Sequence, residues 1–296
     1  MTRDDTLHAF AVLLHVTGYL ALAILAGGLL FVSALWPAGA RDPRTRLILT
    51  SSVAVGVASA IGTVLLAAQY ATSGPAIEDV LTAPFGRVAA ASGLLWLLAA
   101  VVVVAVLQRG ERAVRSLPWR AGALAVAFGL LRATGMSGHS NETAEAGLSI
   151  VADFLHLAGV SAWLGGLTVL SVGLLPRRRA DEIGDVAPKF SRFAMVSVLA
   201  IVASGLIMAW QIVGSVGALV GTAYGHLLLT KLAVFALVLL AAMMSKHWVE
   251  NRLSAVISRH ASAAVRPFVL SVGAETVLAV AVLVAASVLV TASPGH

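Results

Sequence analysis

Long runs of apolar residues, separated by short polar and basic stretches, divide this 296-residue chain from end to end. The runs fall at about 8 to 35, 47 to 71, 86 to 107, 118 to 135, 148 to 175, 190 to 213, 224 to 247 and 268 to 291, each close to or above the roughly 20 residues that cross a hydrocarbon core. Inside lipid no water completes the backbone hydrogen bonds, so a spanning segment is a helix unless it pairs into a closed barrel. The pattern therefore predicts an all-α, polytopic membrane bundle of about eight transmembrane helices. The first run is too long for a signal-peptide core and is expected to stay as the first helix.

Basic residues alternate between the loops. Arg41, Arg44 and Arg46, then Arg109, Arg112 and Arg115, then Arg177, Arg178 and Arg179, then Lys246, Arg252, Arg259 and Arg266 occupy every second connection, and the others are almost free of Lys and Arg. The positive-inside rule places those four loops in the cytoplasm. Both termini, the Glu78/Asp79 loop, the segment 136–147 and the Gly-rich segment 214–221 are then expected outside, where an incoming cation arrives.

The two halves resemble each other. Leu14-His15, Gly27-Gly28 and Trp36-Pro37 match Leu155-His156, Gly165-Gly166 and Leu175-Pro176, although the His-to-Gly spacing differs by three residues. Ala67-Ala68-Gln69 parallels Ala209-Trp210-Gln211, and Phe85-Gly86-Arg87 parallels Tyr224-Gly225-His226. A tandem duplication of a four-helix unit, 1–135 and 136–296, accounts for this. Four spans return the chain to its starting side, so the repeats would be parallel, with room for a site between them. The Gly-Gly pairs fit close helix approach, because small residues let membrane helices pack backbone to backbone.

Composition narrows the chemistry. At 59% hydrophobic and 11% charged residues the chain is far from an ordinary soluble domain,. A net charge of +6 would suggest nucleic acid in a soluble protein, but here the basic residues serve topology. The absence of cysteine removes disulfides, thiolate metal sites and cysteine nucleophiles, leaving His or Met to hold a soft metal. No phosphate-binding motif appears and the loops are too short for an ATPase domain, so no enzymatic activity is expected and any active transport draws on a gradient or a partner.

His15 and His156 stand about seven and eight residues into the first and fifth spans, roughly 10 to 12 Å deep at the helical rise. Imidazole ligates copper, zinc and iron, and a polar side chain at such depth normally faces the bundle interior. Asp153, one turn before His156, is placed to orient the imidazole or to ligate metal itself. His8 lies almost two turns before His15 on the same face, as an entry ligand. Met136 and His139 on the outer loop combine a thioether with an imidazole, a pairing suited to Cu(I) or Cu(II). Lys231, Glu275 and Arg132 are intramembrane charges that either line a hydrated route or pair to fix packing.

The segment from Phe154 to Leu167, FLHLAGVSAWLGGL, resembles the signature span of the copper resistance D family, in which a helical His precedes a Trp and a Gly-Gly pair. Phe190-Ser191-Arg192-Phe193-Ala194, Ser204-Gly205-Leu206 and Tyr224-Gly225-His226-Leu227-Leu228-Leu229-Thr230-Lys231 resemble its following spans, and Gly138-His139 its preceding outer loop. The resemblance covers roughly 136 to 291. Where the family usually has Arg this chain has His226, an additional candidate ligand. The resemblance implies a bacterial inner-membrane protein that handles copper, commonly by admitting periplasmic copper, and that works with a soluble carrier of the copper resistance C type. Two other readings stay open: a haem b electron-transfer protein with His15 and His156 as axial ligands, and a non-transporting scaffold that docks a copper carrier.

Overall fold

The computed structural model describes residues 3–70, 84–135, 146–177, 179–213, 216–222 and scattered positions from 225 to 240. Among these every regular element is helical. The first half of the chain forms α1 (Arg3–Ala34), α2 (Pro43–Tyr70), α3 (Pro84–Arg109) and α4 (Leu117–Gly135), with short helical turns at Pro37–Arg41 and Glu111–Arg115 in the connections. The second half opens with α5 (Ala146–Thr168), which runs on through a π-helical stretch, Val169–Leu174, and a 3-10 turn, Leu175–Arg177, before α6 (Ala180–Val213). Five of these helices, all but α4, are long and apolar enough to cross a membrane by length and composition. The two last predicted spans fall largely or wholly outside the described residues.

Burial is distributed as a lipid solvent dictates. Outward faces carry large apolar side chains, such as Leu97 and Val101 on α3 or Val196, Leu199 and Leu206 on α6. Hydroxyls turn inward instead: Ser52, Ser59, Ser161, Ser197 and Ser204 are all buried. In water this arrangement would be inside out; in a bilayer it withdraws polar groups from lipid, with Ser52, Ser197 and Ser204 donating to the carbonyl one turn earlier and Ser59 to Leu14 of α1,.

Each helix of the first half packs on its sequence neighbour, and α1 also packs along α5, so α1 and α5 form the centre of the described bundle. A Cβ added to Gly27 would run into the Ser161 carbonyl and lie 2.8 Å from the Gly165 Cα; one added to Gly165 would lie 2.5 Å from the Ala23 carbonyl oxygen and 2.7 Å from the Gly27 Cα. The helices therefore touch backbone to backbone, as the Gly-Gly pairs predict. Further contacts pair Gly28 with Val169 and Gly166 with Phe31, advancing in the same direction on both helices. Thus α1 and α5 run parallel.

The three described basic connections meet at one end. Arg41 reaches Glu111 at 3.6 Å and Arg115 reaches the same carboxylate at 3.8 Å. Arg177 lies 3.4 Å from Asp42 and 3.3 Å from Glu182, and its guanidinium stacks over the Trp36 ring at 5.4 Å. Asp42 also caps α2, its Oδ1 accepting from the Arg44 and Thr45 amides at 3.0 Å each,. The Lys246 to Arg266 loop lies outside the described residues.

Candidate functional site

His15 sits on α1, twelve residues before the Gly27 crossing, or about 18 Å above it at 1.5 Å per residue. Its Nδ1 lies 3.0 Å from the Ala11 carbonyl one turn earlier. A carbonyl only accepts, so Nδ1 carries the proton and Nε2 holds the lone pair that a metal ion needs. The ring lines a cavity of about 110 Å³ walled by the four helices of the first half. Besides His15, polar groups on its wall come from Tyr19, Ser59, Thr63, Ser92 and Thr134. Ser59 donates to the Leu14 carbonyl at 2.7 Å and Thr63 to the Ser59 carbonyl at 2.9 Å, so these hydroxyl oxygens can still accept from, or ligate, a guest.

His156 lies nine residues before Gly165, about 14 Å above the crossing and roughly one turn deeper than His15. The three-residue difference in His-to-Gly spacing is the cause. Its Nδ1 donates toward the Ile201 carbonyl and the Ser204 hydroxyl of α6, both at 3.2 Å. Ser204 spends its own proton on the Ala200 carbonyl at 2.6 Å, so toward His156 its oxygen accepts. In the neutral ring that tautomer puts the lone pair on Nε2. The ring also lies over Gly205, whose added Cβ would sit 3.5 Å from His156 Cε1. Two separate pieces of the quoted resemblance, the His of α5 and the Ser-Gly of α6, are thus in contact.

The two imidazoles have different surroundings: His15 lines the cavity of the first half and the Nδ1 edge of His156 meets α6. Asp153 follows neither. Although it is one turn from His156, its carboxylate points at the α4 terminus, where a Cβ on Gly135 would overlap it, and it interacts electrostatically with Arg132 of α4 and with Tyr19 of α1. Asp153 is twelve residues before Gly165, level with His15 rather than with His156. The intramembrane charge of Arg132 is met there, across the contact between the two halves. His226 bonds through Nε2 to the Val220 carbonyl at 2.9 Å, closing the end of the short helix Val216–Gly221.

Among the described residues no three His, Asp or Glu side chains gather closely enough to hold a metal ion. His8 falls on α1, but its side chain lies outside the described residues. Met136, His139, Lys231 and Glu275 lie outside them altogether. The polar wall around His15, in particular Tyr19, Ser59 and Thr63, is absent from the sequence-based candidates. Its one signal was hydroxyls at i and i+4 within an apolar span, Ser59 and Thr63, one turn apart on the same helical face.

Residues 184–289 match the model of the copper resistance protein D family. Over that stretch the chain is similar to the copper resistance protein D family. The match begins within α6, so the FLHLAG segment with His156, like His15 and Asp153, precedes it. The copper transport protein CutJ of Bacillus subtilis (strain 168) is 28% identical over 288 residues, an alignment covering 91% of this chain and 50% of that protein. The chain thus spans about half the length of this relative. No solved structure matches it.

Proposed function

We propose that this chain carries copper across a membrane, inward from the face at which the N-terminal end of α1 lies, using His15 and His156 as successive ligands. The observation that carries this reading is the fixation of both imidazoles in one tautomer by Nδ1 acceptors at 3.0 to 3.2 Å, which makes Nε2 the ligating nitrogen on each of two parallel helices in backbone contact. The similarity to a protein named for copper transport and the copper resistance D match support the cargo.

The spacing suits passage rather than storage. A path conducts when each stop binds well enough to fill and weakly enough to empty, and the described ligands are distributed, one imidazole per half, at depths about one turn apart. His139, Met136 and His8 are the proposed capture groups at the outer end, and the two halves are proposed to be repeats of one unit. Asp153 interacts electrostatically with Arg132 beside the route, so neither group stands alone toward lipid,.

The test is copper content and visible absorption of the purified protein in detergent, with copper uptake into proteoliposomes on the same preparations. Wild type is expected to bind copper without a haem band, and His15→Ala and His156→Ala each to lower both binding and uptake. Copper binding indifferent to both substitutions, or a haem band lost with them, overturns the proposal; binding without uptake shows a docking scaffold instead.

A further inference from the structure

Along one flank of the bundle α1, α4 and α5 leave an apolar groove with a cavity volume of about 540 Å³. Small side chains open it: Ala26 and Ala34 of α1, Ala123 and Ala127 of α4, and Ala158 and Ala162 of α5 all line the wall. Phe128 and Phe154, with ring centroids 4.8 Å apart, line its deeper end. Trp119 and Arg120 line the other end, which is the end of the bundle where the basic connections meet. From Arg120 to Leu131 the groove follows eleven residues of α4, about 16 Å at the helical rise. That is about half of a hydrocarbon core some 30 Å thick, the reach of one leaflet.

Arg120 is held at the mouth. Its Nε donates to the Val114 carbonyl and its Nη2 to the Ser33 carbonyl of α1, both at 2.8 Å. A guanidinium has five N–H donors, so Nη1 remains for an anion, and Arg120 is exposed and makes no ion pair among the described residues. The side chain is therefore a fixed cation at the surface end of an apolar slot one leaflet long.

We propose that this groove binds an anionic phospholipid of the leaflet on the basic side, with an acyl chain along the alanine wall and the phosphate on Arg120. Charge selects this occupant. An apolar helix of a second copy or a partner would cover the wall but leave the Arg120 charge unmatched. None of the residues proposed to carry copper lines the groove, so the site is independent of the transport reading.

The experiment is native mass spectrometry of wild type, Arg120→Gln, Arg120→Lys and Ala127→Leu after exchange in detergent with phosphatidylglycerol or phosphatidylcholine. Wild type and Arg120→Lys are expected to retain phosphatidylglycerol about fivefold more than phosphatidylcholine, the effect of one cation at an anionic headgroup. Arg120→Gln should lose the preference, and Ala127→Leu, which fills the groove, should lose retained lipid of either kind. Equal retention of both lipids by wild type, an undiminished preference in Arg120→Gln, or a lipid-free dimer as the main species overturns the proposal.

Discussion

What a histidine inside a membrane can do depends on which nitrogen its neighbours take. At His156 the Ile201 carbonyl and the Ser204 hydroxyl share Nδ1, so Ser204→Ala leaves the tautomer fixed but the ring less firmly aimed. Losing one such neutral hydrogen bond costs about 1 kcal/mol, or about fivefold in affinity. Copper competition titrations should show that loss in Ser204→Ala and near wild-type affinity in Ser204→Thr, which keeps the hydroxyl. Unchanged affinity in Ser204→Ala would mean that the Ile201 carbonyl alone orients the ring. His15 and His156 were legible in the sequence because an imidazole stands out in an apolar run. Their acceptors were not, since the carbonyls of Ala11 and Ile201 carry no signal in residue type. Asp153 shows the complementary difficulty: three residues along a helix still leave about 60° of rotation at 3.6 residues per turn, enough for its carboxylate to meet Arg132 on α4 while His156 meets α6.

At the scale of the element, apolar run length located the six long described helices to within a few residues, save at two ends, while the short helices Glu111–Arg115 and Val216–Gly221 fall in segments read as loops. The sixth apolar run begins at about 190, yet α6 begins at Ala180. Its first turns are polar, with Asp185 and Lys189 paired at 2.6 Å across one turn, so a criterion built on lipid solubility passes over them. The π-helical end of α5 has no such signature; it brings Gly173 against Thr45 and Trp36, where an added Cβ would lie 2.6 Å from the Thr45 hydroxyl. The Gly-Gly pairs were legible because few roles other than close packing suit them in a span. Gly27→Ala should therefore lower stability by about 3 kcal/mol, the upper part of the overpacking range, because the obstacle is backbone that cannot turn aside. Gly93→Ala is the control: a Cβ there meets nothing within 4 Å, and helix propensity alone should leave it neutral or more stable by up to about 1 kcal/mol. Thermal unfolding in detergent separates the two, and equal midpoints would remove the Gly27 crossing as a source of cohesion between the halves.

For the molecule as a whole, the contacts that join the described halves include two unlike ones, the glycine crossing in the span and a charged cluster at the basic end. In the cluster Arg177 of the second half lies between Asp42 of the first and Glu182 of its own, with Trp36 beneath it. The Asp42 side chain is 6% exposed and that of Arg177 23%, so the pair is neither free in water nor fully withdrawn from it. Asp42→Asn isolates the charge, since an amide oxygen can still accept from the Arg44 and Thr45 amides and preserve the helix cap. It should cost about 1 to 2 kcal/mol, below the range for a fully buried pair because water still reaches the guanidinium. Arg177→Gln should cost more, about 3 kcal/mol, because it gives up Asp42, Glu182 and the indole face together. If the two charges act on each other, Asp42→Asn combined with Arg177→Gln will be less damaging than the sum of the single changes by about 1 kcal/mol. Additive losses in the double variant would instead assign the cohesion at this end to Trp36 and Glu182, with Asp42 serving only as the cap of α2.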